Sequence, residues 1–460
     1  MTLLAAKVFA ARAVGGIARR TGRRGGTNLP GRLLIALEPD AIEELAARLP
    51  RGSVVISATN GKTTTAAMSA AVLARAGITP LRNRAGANMA GGVASTLLSA
   101  SRGARIDGEL GLFELDELWL DRVAPALAPR ALLLLNLFRD QLDRAGELET
   151  IAERWAAVVQ ALPETTRLIV NADDPLLADL GRDAPNVTYF GVEDRSIAVP
   201  EMQHASDSKH CRRCGTEYAY EAIYLGHLGR YRCPACGHER PKPSVAAEEI
   251  TLHGTRDASF ALRAPVGATP IQLPLPGLYN VYNALGAAAL CLALDAPLQT
   301  IAAGLAASRP PFGRAERLAL GGVDVTILLI KNPAGANEIL RTLVLEAAPL
   351  NLLAILNDHT ADGKDISWIW DADFEMIAGS VRRVTCAGAR AAELALRLKY
   401  ARVPVDRLHV AGSVSAALED ALAAVPRGEL FVLPTYTALL ELRDELASRG
   451  HVPRFWERQR

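Results

Sequence analysis

The clearest chemistry in the chain sits in eight residues, Ala58-Thr59-Asn60-Gly61-Lys62-Thr63-Thr64-Thr65. They follow a short apolar run, 53–57, and lead into a stretch that reads as a helix over 63–76, ended by Gly77. A strand, a tight loop and a helix start in that order form a phosphate cradle. Backbone amides of Thr59, Asn60, Gly61, Thr63 and Thr64 can surround a triphosphate, the Lys62 ammonium can reach its terminal oxygens, and the Thr63 hydroxyl can join a magnesium ion. The spacing is not the common G-x4-G-K-[ST], because Ile56 stands where the first glycine would be.

A second constellation is Cys211, Cys214, Cys233 and Cys236, two C-x2-C pairs separated by 18 residues. Two such knuckles supply a closed tetrahedral zinc shell, with Gly215 and Gly237 allowing the turns that aim both sulfurs of a pair at one metal. Disulfides or four unrelated thiols are the alternatives. A closed shell predicts structural support. Nucleic-acid binding, the other use of such ribbons, is disfavoured by Glu217, Glu221 and Glu239 among the local arginines. Cys291 and Cys386 lie in apolar surroundings and read as core.

These sites need a sizeable scaffold. At 460 residues the chain exceeds one hydrophobic core, so two or three domains are expected. Half of it is apolar, and 51 basic against 50 acidic residues exclude both disorder and a nucleic-acid binder working by bulk charge. With 44 Arg against 7 Lys, arginine counts carry little weight. No apolar stretch approaches the roughly 18 residues of a spanning helix. Lys7 and Arg12 interrupt the apolar start, which argues against a secretory signal. A cytoplasmic protein without a transmembrane segment is predicted, its first twenty residues forming a helix that packs on its own domain or touches a membrane surface.

ATNGKTTT resembles the phosphate loop of the Mur ligase superfamily, G-T-N-G-K-T-[ST], with Ala58 in place of the glycine. Further landmarks follow in that family's order: GLFELDE at 111–117, NLFRDQLDRAGE at 136–147, VNADDP at 170–175, GLYNVYNALGAA at 277–288 and PFGRAER at 311–317. The resemblance implies ATP as ligand, Glu114 beside the magnesium, Asn280 and Asn283 in adenine recognition, and Arg314 approaching the phosphates. From the residues alone, Glu114 could be a solvated strand-end acid, the asparagines helix caps, and Arg314 a surface residue. Asp140 and Asp143 match an Asp-His-x-Asp motif in which Gln141 replaces the histidine. No lysine lies between Asp143 and Asn171, where amino-acid-adding members carry a carbamylated one.

The C-terminal third carries LIKNPAGANEIL at 329–340, NDHTADGKDISWIWD at 357–371 and FVLPTYTALLELR at 431–443. Together with the cysteine insertion, these segments resemble the MurT-type ligase subunits of lipid II isoglutaminyl synthases. That resemblance implies ATP-dependent amidation of the D-glutamate α-carboxylate of lipid II at the inner membrane face. The ammonia would come from a GatD-like glutamine amidotransferase in a heterodimer, since this chain shows no glutaminase motif of its own. It also implies that one aspartate here, Asp358, Asp362 or Asp365, completes the partner's catalytic triad; capping or substrate binding is the alternative for each. Trp368 and Trp370 read equally as interface or core. A stand-alone Mur-type or folylpolyglutamate-type amino-acid ligase is the competing function.

The fold class expected is α/β. An N-terminal segment (1–45) leads into a Mur ligase-like central nucleotide-binding domain (46–311) with an inserted four-cysteine zinc ribbon (203–243). A Rossmann-like C-terminal α/β domain (312–460) follows.

Overall fold

In a computed structural model the chain is described over residues 28–83, 86–103, 105–140, 148–204, 206–310, 313–346, 349–425 and 427–452. The N-terminal amphipathic helix expected from the sequence, Asp143 and Phe312 lie outside those residues.

Seven strands build the parallel part of the first sheet. They are β1 (Ser53–Ser57), β2 (Pro80–Arg82), β5 (Leu110–Leu115), β6 (Ala131–Leu134), β7 (Arg167–Asn171), β8 (Val187–Val192) and β11 (Val245–His253), with β3 (Ser101–Arg102) and β4 (Arg105–Ile106) forming a separate small hairpin. Every residue of β1, β5 and β6 is buried, as expected of parallel strands covered by helices on both sides. Their order is β2-β5-β1-β6-β7-β8-β11, all parallel, extended antiparallel by β12 (Asp257–Ala264) and β13 (Gly267–Leu273). Alternation along β1 sends Val54 and Ile56 into one core and Val55 into the other. The first core packs the helices Lys62–Arg75, Leu278–Ala293 and Leu298–Ala306. The second packs Ala90–Ala100, Leu120–Leu127 and Leu148–Gln160.

The cysteine insertion leaves this sheet after β8 and folds around a hairpin, β9 (Ala219–Leu225) with β10 (Leu228–Arg232). Arg240 anchors its return. The guanidinium is 2.5 Å from buried Asp173 and 2.6 Å from Glu193, so the VNADDP segment is largely structural. Asp174 supports that reading: it caps the helix Pro175–Leu180 through the Leu176 and Leu177 amides and accepts from Leu137 N at 2.9 Å.

A second sheet has the order β14 (Arg314–Leu320), β15 (Val323–Leu328), β19 (Gly428–Pro434), β16 (Leu350–Ile355), β17 (Val381–Ala387), β18 (Leu408–Val410). Only β14 runs antiparallel, and helices cover both faces over two further cores. One of those helices, Pro333–Val344, starts at the interface with the first domain. KNPAG is its start signal: Asn332 caps it through Gly335 N at 2.8 Å, and Pro333 occupies the first turn, where no amide hydrogen is needed.

Candidate functional site

The phosphate loop leaves β1 where β6 ends, and the neighbouring strand-end loop sets its shape. Thr59 Oγ1 donates to Phe138 O at 3.1 Å and accepts from Phe138 N at 3.0 Å. Asn136 takes the Asn60 amide on Oδ1 at 2.9 Å and donates to Asn60 O at 3.0 Å. The Thr59 amide also goes to Asn136 O, at 3.1 Å, so the Thr59 and Asn60 amides expected around a triphosphate are spent inside the loop, and the amides from Gly61 onward are the ones left for a ligand. Gly61 has φ 89°, and a Cβ there would collide with Asn283 Oδ1, so only glycine fits. Ala58 is fully buried and keeps a negative φ, so the methyl at that place carries no backbone strain. The helix begins one residue earlier than its expected start, at Lys62.

Lys62 is folded onto Glu117, Nζ to Oε2 2.8 Å, and also donates to the Ala58 carbonyl. Burial works against its charge. Glu117, with Asp116 and Asp140, outweighs burial and raises the ammonium pKa, so Lys62 keeps its charge in the cleft. Thr63 Oγ1 donates to Glu114 Oε2 at 2.7 Å, while Glu114 Oε1 is buried without a hydrogen-bond partner, 3.8 Å from Arg82. A hydroxyl and an orphaned carboxylate oxygen side by side form a hard-oxygen donor set that suits magnesium.

The C-terminal domain adds two cations to this cleft. Arg314 Nη1 donates to Thr64 Oγ1 at 3.2 Å; burial presses its pKa down, opposed by Glu114. A bulge at Ala315, φ 58°, breaks the β14 register beside it and aims the guanidinium out of the strand. Lys331 Nζ lies 2.9 Å from Asp140 Oδ2 and 3.4 Å from Thr59 O, and Asn332 Nδ2 donates to Asp140 Oδ1 and Asn60 Oδ1, each at 3.0 Å. Burial disfavours the Asp140 charge, yet Lys331, Asn332 and Lys62 hold its carboxyl below the usual range.

The sequence reading expected Asn280 and Asn283 to face one pocket together. Only Asn283 lines the cleft; Asn280 donates to Pro276 O at 2.7 Å and accepts from Asn283 Nδ2 at 3.1 Å, which makes it the holder of its neighbour. Sequence reasoning missed Glu117, Asn136, Lys331, Asn332 and Glu338. All five lie within quoted motifs, and nothing marked which member would point inward.

The three candidate acids follow β16 but differ in environment. Asp358 pairs with Arg390 at 2.8 Å, which lowers its pKa. Buried Asp362 commits both oxygens to Thr437, its amide at 2.8 Å and its hydroxyl. Asp365 is exposed and gives one oxygen to Ser367 N at 2.8 Å. Trp368 and Trp370 occupy a 3-10 turn. Trp368 belongs to the core, which removes it as an interface residue. Trp370 is half exposed, edge-on to Tyr400.

The four cysteine sulfurs lie within 4.8 Å of one another, with Cys211 and Cys236 3.6 Å apart and Cys214 and Cys233 3.4 Å apart. Tetrahedral zinc thiolates need about 3.8 Å between sulfurs, so the set fits a closed metal site. Gly215 and Gly237 both have φ 73°, and their amides close the knuckles onto Cys211 O and Cys233 O at 2.8 and 3.0 Å.

Comparison with known proteins agrees with this architecture. The family model for the Mur ligase middle domain matches residues 56–234, and that for the MurT ligase C-terminal region matches 329–439. A lipid II isoglutaminyl synthase (glutamine-hydrolyzing) subunit MurT from Streptococcus pneumoniae is 32% identical over 434 residues, 94% of each chain. Its counterpart from Staphylococcus aureus N315 is 32% identical over 432 residues, 93% of this chain and 94% of that one. Among solved structures, a pseudomurein peptide ligase type C from Methanothermus fervidus superposes with a TM-score of 0.66 at 23% identity, covering 88% of this chain and 80% of that one, which speaks to fold alone. At that identity over nearly the whole of both chains, and with both domains matched, the chain belongs to the MurT family of Mur ligase-like proteins.

Proposed function

We propose that this chain is the ATP-dependent ligase subunit of a lipid II isoglutaminyl synthase. It activates the α-carboxylate of D-glutamate in the lipid II stem peptide and amidates it to D-isoglutamine. The observation that carries this reading is the meeting, in one cleft, of the phosphate loop with Lys331 and Arg314 from the MurT-type domain.

Phosphoryl transfer depends on positioning and charge neutralisation. Lys62 exchanges Glu117 for the terminal phosphate oxygens of ATP, while Lys331 and Arg314 close over them from the second domain. Thr63 and Glu114 would hold magnesium, which supplies further neutralisation of the triphosphate. A substrate carboxylate oxygen attacks the γ-phosphorus, the bond to the β-phosphate oxygen breaks, and ADP leaves behind an acyl phosphate. Ammonia then adds to the acyl carbon, expels inorganic phosphate and gives up a proton, leaving the amide.

A GatD-like glutamine amidotransferase supplies the ammonia in the complex. Of the three acids, Asp365 is best placed to orient a partner's histidine, because it is exposed while Asp362 is consumed by Thr437 and Asp358 by Arg390. The four-cysteine set holds zinc in a structural role. No described helix is long and apolar enough to cross a membrane, in keeping with a cytoplasmic enzyme that meets its lipid-linked substrate at the inner membrane face.

The test is mass spectrometry of lipid II incubated with the chain, ATP, magnesium and either ammonium or glutamine, with and without the glutaminase. The carboxyl-to-amide mass change should appear with ammonium alone, and with glutamine only when the partner is present. No amidation under any condition, with ATP consumed when an amino acid is offered, would transfer the assignment to a stand-alone amino-acid ligase.

A further inference from the structure

The cleft between the two domains has a mixed lining. Asn60, Gly61, Thr64, Arg314 and Lys331 supply its polar and cationic groups, and Phe138, Leu225, Leu228, Tyr279 and Ile339 an apolar wall. A triphosphate belongs with the cations, which leaves the apolar wall for the nucleobase. Leu225 and Leu228 come from the tip of the cysteine-bearing hairpin, so the base would lie against the insertion itself.

One side chain is out of keeping with that apolar wall. Glu338, on the helix Pro333–Val344, lines the cavity at 3% exposure, and its Oε1 is buried without a hydrogen-bond partner. The other side of the carboxyl meets the amide of Gln203, whose own Oε1 accepts from Gly226 N at 3.1 Å. A buried carboxyl oxygen left unsatisfied is costly unless a ligand completes it.

We propose that Glu338 reads the nucleobase: its neutral carboxyl donates from Oε1 to ring N1 of adenine and accepts from the 6-amino group, which selects adenine over guanine. This rests on the reading of the cleft as an ATP site. The selectivity follows from the two base edges. Adenine presents an amino donor beside a ring acceptor, the complement of a protonated carboxyl, whereas guanine presents two adjacent donors, the complement of a carboxylate. Burial favours the first, lifting the carboxyl to about 7. Arg341, on the same helix, opposes this but is directed to Tyr224 O and Ile197 O. Tyr279, from the helix Leu278–Ala293, has its phenol pKa pushed upward by burial and by nearby Glu338, against the pull of Arg314, so it stays uncharged.

The experiment measures binding of Mg-ATP, Mg-GTP and tripolyphosphate to the full chain, below and above about pH 7, for the wild type, Glu338→Ala and Glu338→Gln. Loss of a bidentate base contact is expected to cost Glu338→Ala about tenfold to a hundredfold in ATP affinity, with tripolyphosphate unchanged. Glu338→Gln, whose amide donates and accepts at every pH, should retain ATP binding and abolish the fall in ATP over GTP preference that the wild type shows as pH rises. The same ATP to GTP ratio in Glu338→Ala and wild type, or an equal loss for tripolyphosphate, would overturn the assignment. Failure to bind any of the three ligands would instead sink the nucleotide-site reading and this proposal with it.

Discussion

Replacing Glu338 by Gln should stabilise the ligand-free protein above neutral pH and leave it unchanged in acid. The unfolded chain titrates this carboxyl at its ordinary 4.5, while burial in the cleft holds it at about 7. The folded state therefore keeps a proton that the unfolded state releases between those values. Stability from this group is fully present below pH 4.5 and is lost as pH rises through about 7. At 1.36 kcal/mol per pKa unit the loss amounts to about 3 kcal/mol. Glutamine has the same shape and no proton to lose. Asp173, also raised by burial, is unaffected by the substitution and cancels in the difference between variants. The assay is thermal or guanidinium unfolding of both proteins from pH 4 to 8. Above neutrality the Gln variant should melt roughly 6–12 °C higher if the C-terminal domain unfolds as a unit. Parallel stability curves across the whole range would refute the reasoning, because they would show that Glu338 ionises as readily folded as unfolded.

Lys62→Met removes the buried cation that Glu117 and a terminal phosphate share, and ligase turnover should fall by about a hundredfold to a thousandfold, measured as amidated lipid II per unit time. Arg240→Met strands the fully buried Asp173 carboxylate and should cost about 3–5 kcal/mol in a denaturation experiment; an unchanged midpoint would mean that Asp173 takes up a proton instead. Cys211→Ser together with Cys214→Ser should reduce zinc by elemental analysis from about one per chain to none and open residues 203–243 to proteolysis. Trp370→Ala should fold normally and weaken association with the glutaminase in a titration, whereas Trp368→Ala, at a core position, should lose about 3–5 kcal/mol of stability.

Which of these residues a reader of the sequence can find depends on how locally the function is encoded. The phosphate loop is legible because strand, loop and helix start are contiguous, so Gly61, Lys62 and Thr63 announce themselves by order alone. The cysteine knuckles are legible for the same reason: metal geometry reduces to two short spacings and the glycines after them. Lys331 is another matter. Nothing in KNPAG says that its lysine reaches Thr59, 272 residues away, because that contact exists only once two domains dock. The motif's asparagine and proline are explained by helix capping alone, which hides the further use of Asn332 against Asn60 and Asp140. The tryptophans show a limit of periodicity. Residues two apart share a face in a strand but diverge in a 3-10 turn, so one joins the core and the other faces solvent. Glu338 is the extreme case. An acid in the second turn of an amphipathic helix reads as a solvated side chain, and the position becomes interior through groups distant in sequence, Gln203 and Tyr279 beside it and Leu225 and Leu228 across the same cleft. The residues hardest to see are therefore those where separate segments converge. In this chain the convergence runs through the insertion, so the cysteine-bearing hairpin lines the cleft through Leu225 and Leu228 as well as gathering the four sulfurs.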